Sequence, residues 1–144
     1  MDQYRTIDRT PSPEAYIRMR ELCGLAPRSL EAASAGLSGS LYCVLALEPN
    51  AAPEAFVGMA RIVGDGGSFF EVVDMAVHPD HQGKGLGDLL MRALMAWIET
   101  NVPATAYVSL IAADGKAAFY ERYGFRSRPM DAPGMELVRT TGNG

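Results

Sequence analysis

Gln82-Gly83-Lys84-Gly85-Leu86-Gly87 stands between an apolar run, residues 69–77, patterned like a strand and an amphipathic run, residues 86–98, patterned like a helix. In that order the hexapeptide reads as a phosphate cradle. Its glycines let the backbone turn tightly and come close to a ligand, and the helix that follows begins with N–H groups that have no intrahelical acceptor and suit an anion. Two better-known loops do not fit. A Walker loop requires Ser or Thr directly after its glycine-lysine pair, whereas Gly85 follows Lys84; the dinucleotide fingerprint requires glycine at its sixth position, which Asp88 occupies. A plain strand-to-helix turn is the alternative reading of the glycines taken alone.

The flanks extend the pattern. Leu86, Leu89, Leu90, Ala93, Leu94 and Trp97 follow helical spacing and predict one buried stripe, with Asp88, Arg92 and Glu99 outside it. The run 69–77 is apolar on both faces, which predicts an interior strand interrupted by two carboxylates, Glu71 and Asp74. Gly64-Asp65-Gly66-Gly67 joins it to a strand over 56–63 as an antiparallel hairpin. Upstream, the patterns predict a strand at 4–7, a helix at 14–23 capped by Ser12 with Pro13 at its start, a short helix at 29–35 ending at Gly36, and a strand at 41–47. Downstream they predict a strand at 106–112, a helix at 116–123 closed by Gly124, a last strand at 135–139 and a disordered tail, 139–144 at its widest. No repeat or linker divides the chain, so one domain over 1–144 is expected.

Composition narrows the function. The chain has 144 residues, 48% hydrophobic and 21% charged, enough to bury roughly two-thirds of its unfolded surface in one core. A net charge of −4 disfavours nucleic acid as a partner. No apolar run reaches the roughly 20 residues of a membrane span, and Asp2 and Arg5 stand where a secretory leader would be apolar. A cytoplasmic protein without a membrane partner is expected. Cys23 and Cys43 read as small core hydrophobes, and His78 and His81 as turn residues, so no metal is expected.

Asp74-Met75-Ala76-Val77-His78-Pro79-Asp80-His81-Gln82-Gly83-Lys84-Gly85-Leu86-Gly87 resembles motif A of the GNAT (Gcn5-related N-acetyltransferase) superfamily. Phe119-Tyr120-Glu121-Arg122-Tyr123-Gly124-Phe125 resembles its motif B. Together they span more than a third of the chain in the family's order. The resemblance implies an α/β fold with a mixed sheet of six or seven strands, about four helices and a V-shaped opening beside the fourth strand, and acetyl-CoA as co-substrate. It places the main chain of Met75 and Val77 along the pantetheine arm and the backbone of Gln82, Gly83, Lys84, Gly85, Leu86 and Gly87 around the pyrophosphate. Lys84 could add a point charge or face solvent.

By the same resemblance Glu71 is a candidate general base and Tyr120 the acid that protonates the departing thiolate. Asp74 is a second-choice base or amine ligand, or else a structural ion-pair residue. In a regular strand it faces away from Glu71, so only a bulge brings the two together. The sequence departs from the family where Ala113 and Asp114 replace a frequent asparagine. The expectation is transfer of acetyl to a primary amine by direct attack in a ternary complex. A small cationic amine suits the acidic candidates best, with a protein N-terminus or lysine as the other acceptor class. A non-catalytic acyl-CoA sensor and a structural subunit are the rival classes, and a homodimer through 135–139 is expected by analogy.

Overall fold

Two serines start the first two helices by the same device. Ser12 Oγ accepts from Ala15 N–H at 3.1 Å and Ser29 Oγ from Ala32 N–H at 3.0 Å, each satisfying a donor that the first helical turn leaves unpaired. Helix α1 runs over Pro13–Leu22 and α2 over Leu30–Ser38. The computed structural model describes residues 3–139. Its elements fall into two compact units, Met1–Ile111 and Ala112–Gly144.

The first unit is a five-stranded sheet in sequential order, β1 Arg5–Asp8, β2 Tyr42–Leu47, β3 Gly58–Gly64, β4 Phe69–Val77 and β5 Tyr107–Leu110. The first three pairings are antiparallel and the β4–β5 pairing is parallel. Alternation along each strand builds a core on both faces. Tyr16, Met19, Ala33 and Leu37 of α1 and α2 cover Cys43, Leu45, Leu47, Met59 and Ala76. On the other face, α3 (Leu86–Asn101) buries Leu86, Leu90, Met91 and Leu94. Full burial of each such side chain contributes about 1.5–3 kcal/mol. Met91 thus belongs to the buried stripe, while Leu89 and Ala93 are only half-buried.

The β3–β4 turn is held by one carboxylate. Asp65 accepts from the N–H groups of Gly67, Ser68 and Phe69 at 2.8, 2.8 and 3.0 Å. Those bonds, the Phe69 one foremost, pull its pKa below the ordinary 3.8. A depressed folded-state pKa contributes stability that is present above the unfolded value and is lost as pH falls through the folded one. Asp65→Ala should therefore lower the melting temperature at pH 7, with a deficit that shrinks as the buffer is acidified past the ordinary 3.8. Melting curves across that range check it.

The second unit holds α4, Ala117–Glu121, shorter than the predicted 116–123. Gly124, at φ +96°, follows it and donates to Glu121 O at 3.1 Å. Phe119, Tyr120, Tyr123 and Phe125 stack edge to face along this turn.

Two expectations are corrected. Five strands form among the described residues rather than six or seven, because 135–139 is not a strand. Met135, Leu137 and Val138 are 90%, 86% and 75% exposed. The segment alternates like a strand, but its unit contains no strand edge to take up its N–H and C=O groups. Helix α2 continues through Gly36 to Ser38. Residues 140–144 of the expected tail lie outside the described residues.

Candidate active site

The loop between β4 and α3 is tied down at both ends. After Val77 a 3₁₀ turn at Pro79–His81 begins with His78, whose Nδ1 accepts from Asp80 N–H at 3.1 Å. Gln82 Nε2 then donates back to Val77 O at 3.1 Å. His81 Nδ1 lies 2.8 Å from the Tyr4 hydroxyl. Both histidines therefore hold the turn that leads into the glycines.

Gly83 and Gly85 adopt φ +76° and +85°, and a Cβ built on either would meet nothing within 4 Å. Space is thus open in front of both, and the left-handed backbone, costing an L-residue about 1–2 kcal/mol, is what asks for glycine. Gly85 also caps α3, and Leu89 N–H to Gly85 O, at 3.1 Å, is the first bond of the helix. The N–H groups of Leu86 and Gly87 precede it, so they have no intrahelical acceptor and face the open side. Unpaired N–H donors beside open space are what binding of an anionic group requires. Lys84 is exposed beside it.

Strand β4 supplies the second feature. Its pairing with β5 starts at Phe69↔Tyr107 and ends at Val72↔Leu110, so residues 73–77 have a strand on one side only. Ala76 pairs with Met59 of β3, and His78 N–H donates to Val57 O at 2.8 Å. By alternation Met75 and Val77 turn their main-chain groups to the open side. Val77 O is already engaged there, by Gln82 Nε2 and by Cys23 Sγ at 3.3 Å. Val77 consequently offers its N–H alone, and Met75 both of its groups. Burial raises the pKa of Cys23, the bond to Val77 opposing it, which keeps this thiol protonated.

The carboxylates share one face because β4 is bulged. Register passes from Arg61↔Val73 to Met59↔Ala76, which places an extra residue on β4, and Asp74 adopts φ +60°. Glu71, paired between Val63 and Ser109, lies on the face of Val73, and the bulge turns Asp74 to that same face, where Arg61 reaches it. Asp74 is 4% exposed and fully occupied. Its Oδ1 accepts from Arg20 Nη1, and its Oδ2 from Arg61 Nε at 2.8 Å and the Tyr16 hydroxyl at 2.8 Å. The guanidiniums are anchored in turn. Arg20 donates to Ala26 O at 3.0 and 2.7 Å, and Arg61 to Gly36 O at 3.1 Å and Ser40 Oγ at 2.8 Å. Burial, then the bond to Asp74, raises the Tyr16 pKa, so the phenol stays a donor. No buried side-chain N or O among the described residues lacks a partner.

Glu71 is the free carboxylate of the pair. It is half-buried, and no hydrogen bond or ion pair engages it among the described residues. Tyr120 lies in the second unit, on α4, where burial raises its pKa above 10.0 and keeps the phenol protonated at neutral pH.

Arg20, Arg61 and Tyr16 were not singled out from the sequence. The signal was present: Arg61 interrupts an apolar strand, Asp74 interrupts its hairpin partner, and Tyr16 and Arg20 sit four apart on one helix face.

The chain is similar to known proteins in sequence and in fold. The family description "Acetyltransferase (GNAT) domain" matches residues 38–127, well over half the chain. An uncharacterized N-acetyltransferase, ycf52, of Porphyra purpurea is 27% identical over 143 residues, covering 91% of this chain and 81% of its own. A Staphylococcus aureus protein described as a probable acetyltransferase superposes with a TM-score of 0.85 at 32% identity, over 95% of this chain and 100% of that one. A GNAT family protein of Streptococcus pneumoniae gives 0.74 at 26% identity, over 96% and 98%.

Proposed function

Because the chain belongs to the GNAT acetyltransferase family, we propose that it moves acetyl from acetyl-CoA to a primary amine by direct attack within a ternary complex. The observation that carries this is the pairing of an open glycine cradle with a strand edge left free from residue 73 to residue 77. Leu86 and Gly87 N–H groups, with the turn from Gln82 to Gly85 and Lys84 beside it, hold the diphosphate. Met75 and the Val77 N–H take the pantetheine arm as a further strand would. The co-substrate supplies the activated acyl group, a thioester.

Glu71 receives the proton of the attacking ammonium. Such an amine has a pKa near 10.4, so exposing its lone pair at neutral pH costs about 4–5 kcal/mol at 1.36 kcal/mol per pKa unit. Glu71 also makes no ion pair among the described residues, which favours a small cationic amine as acceptor. Asp74 adds nothing to that preference, since Arg20 and Arg61 already balance it. By the family resemblance Tyr120 is the proton donor to the leaving thiolate, and the family match, which includes its position, supports this role.

A thiolate of pKa near 8.5 leaves fairly well without help. Tyr120→Phe should accordingly lower kcat by about 10- to 100-fold, at or below the usual 10²–10⁴ of general acid–base catalysis, with acetyl-CoA affinity unchanged. Stopped-flow release of thiol measures it. The reading as a whole is tested by calorimetric titration with CoA and acetyl-CoA and by thiol release against a panel of cationic, neutral and anionic amines. Absence of binding by both nucleotides would refute it.

A further inference from the structure

We propose that Arg20, Asp74 and Arg61 form a positioning clamp for the thioester substrate, holding β4 in its left-handed bulge so that Met75 and Val77 present their main chain to the open edge. This rests on the acetyl-transfer reading above. The bulge is the step between the part of β4 that pairs with β5 and the part that does not: pairing ends at Val72, Asp74 is at φ +60°, and the free groups begin at Met75. An aspartate holds that backbone only where its surroundings impose it. Here two arginines from different elements impose it. Arg20 comes from α1 and is anchored on Ala26 O, and Arg61 comes from β3 and is anchored on Gly36 O and Ser40. Tyr16 closes the second oxygen.

Stability alone does not account for the cluster. Two guanidiniums and a carboxylate, with side chains 7%, 10% and 4% exposed, are taken almost wholly out of water, and apolar residues of similar volume commonly do as well or better in such positions. What apolar residues would not do is hold a non-glycine residue at φ +60°. Geometric specificity at the bulge is therefore the function the cluster serves.

The test compares two apolar replacements of the whole cluster. Arg20→Met/Arg61→Met/Asp74→Leu removes the clamp and disfavours the left-handed backbone, while Arg20→Met/Arg61→Met/Asp74→Gly removes the clamp but leaves that backbone accessible. With melting temperatures matched, the first is expected to raise the KM and calorimetric Kd for acetyl-CoA by about 10- to 100-fold with a much smaller change in kcat, and the second to recover most of that affinity. Equal affinity for acetyl-CoA in the wild type and the first variant overturns the clamp. Should either triple variant fail to fold, the near-isosteric single changes Asp74→Asn and Arg61→Lys decide instead. A KM raised by about fivefold or more in both supports the clamp, and an unchanged KM in either overturns it. Wild-type protein that binds no CoA would count against acetyl transfer itself, whereas wild type and variants binding alike would count against the clamp only.

Discussion

Asp74→Ala is expected to lower the unfolding free energy by about 3–5 kcal/mol, the range for removing one partner of a buried ion pair. The loss exceeds what the carboxylate's own bonds contribute. Arg20 and Arg61, both beneath the surface, would be left with two like charges converging on a small cavity and no counter-ion. Tyr16 would lose its acceptor as well. Against a total stability of about 5–15 kcal/mol, such a change can remove a large share of the folded population. The non-additivity is the sharper signature: Arg61→Met added to Asp74→Ala should recover part of the loss, because it removes one of the stranded charges. Urea unfolding of the two single variants and the double variant measures this. A loss below about 1 kcal/mol for Asp74→Ala would mean that the cluster is hydrated and loosely held.

Glu71→Gln should reduce kcat/KM by about 10²–10⁴-fold at neutral pH while leaving the melting temperature close to wild type. The two halves of that expectation share one observation. Glu71 touches no ionic or hydrogen-bonding partner among the described residues, so its removal breaks nothing in the fold. It lies on the face shared with Asp74, whose own carboxylate is fully occupied and cannot substitute. The deficit should also narrow as pH rises toward about 10, where the amine acceptor supplies its own lone pair and has less need of a base. Thiol release by wild type and variant between neutral and alkaline pH resolves it. A Gln variant as fast as wild type at pH 7 would remove Glu71 from the mechanism.

Much of the first unit could be read from residue patterns. Strand β4 occupies the predicted span, Phe69–Val77, because its apolar run is bounded by a turn cluster and a proline-containing loop. The glycine loop and the start of α3 at Leu86 followed from glycine spacing and helical periodicity. Gly36 misled for a physical reason: the burial of Leu37, 5% exposed, outweighs the roughly 1 kcal/mol that glycine costs a helix, so α2 runs on. The bulge at Asp74 was recognised only as a condition for bringing two carboxylates to one face. What neutralises Asp74 was not legible, since Arg20 and Arg61 reach it from 54 and 13 positions away. The segment 135–139 shows the opposite error, an alternation that is necessary for a strand but does not provide a partner.

The β4–β5 pairing carries a consequence for the order of assembly. Strands β2, β3 and β4 follow one another as neighbouring hairpins, whereas β5 can dock only after the chain from Val77 to Tyr107 has folded back through α3. Closure entropy makes that docking later than the hairpins, and a four-residue parallel contact reopens more readily than they do. Amide hydrogens of β5 should then exchange through partial openings that leave the hairpins intact. Mild heating or a destabilising lesion should thus release β5 while circular dichroism still reports a folded chain.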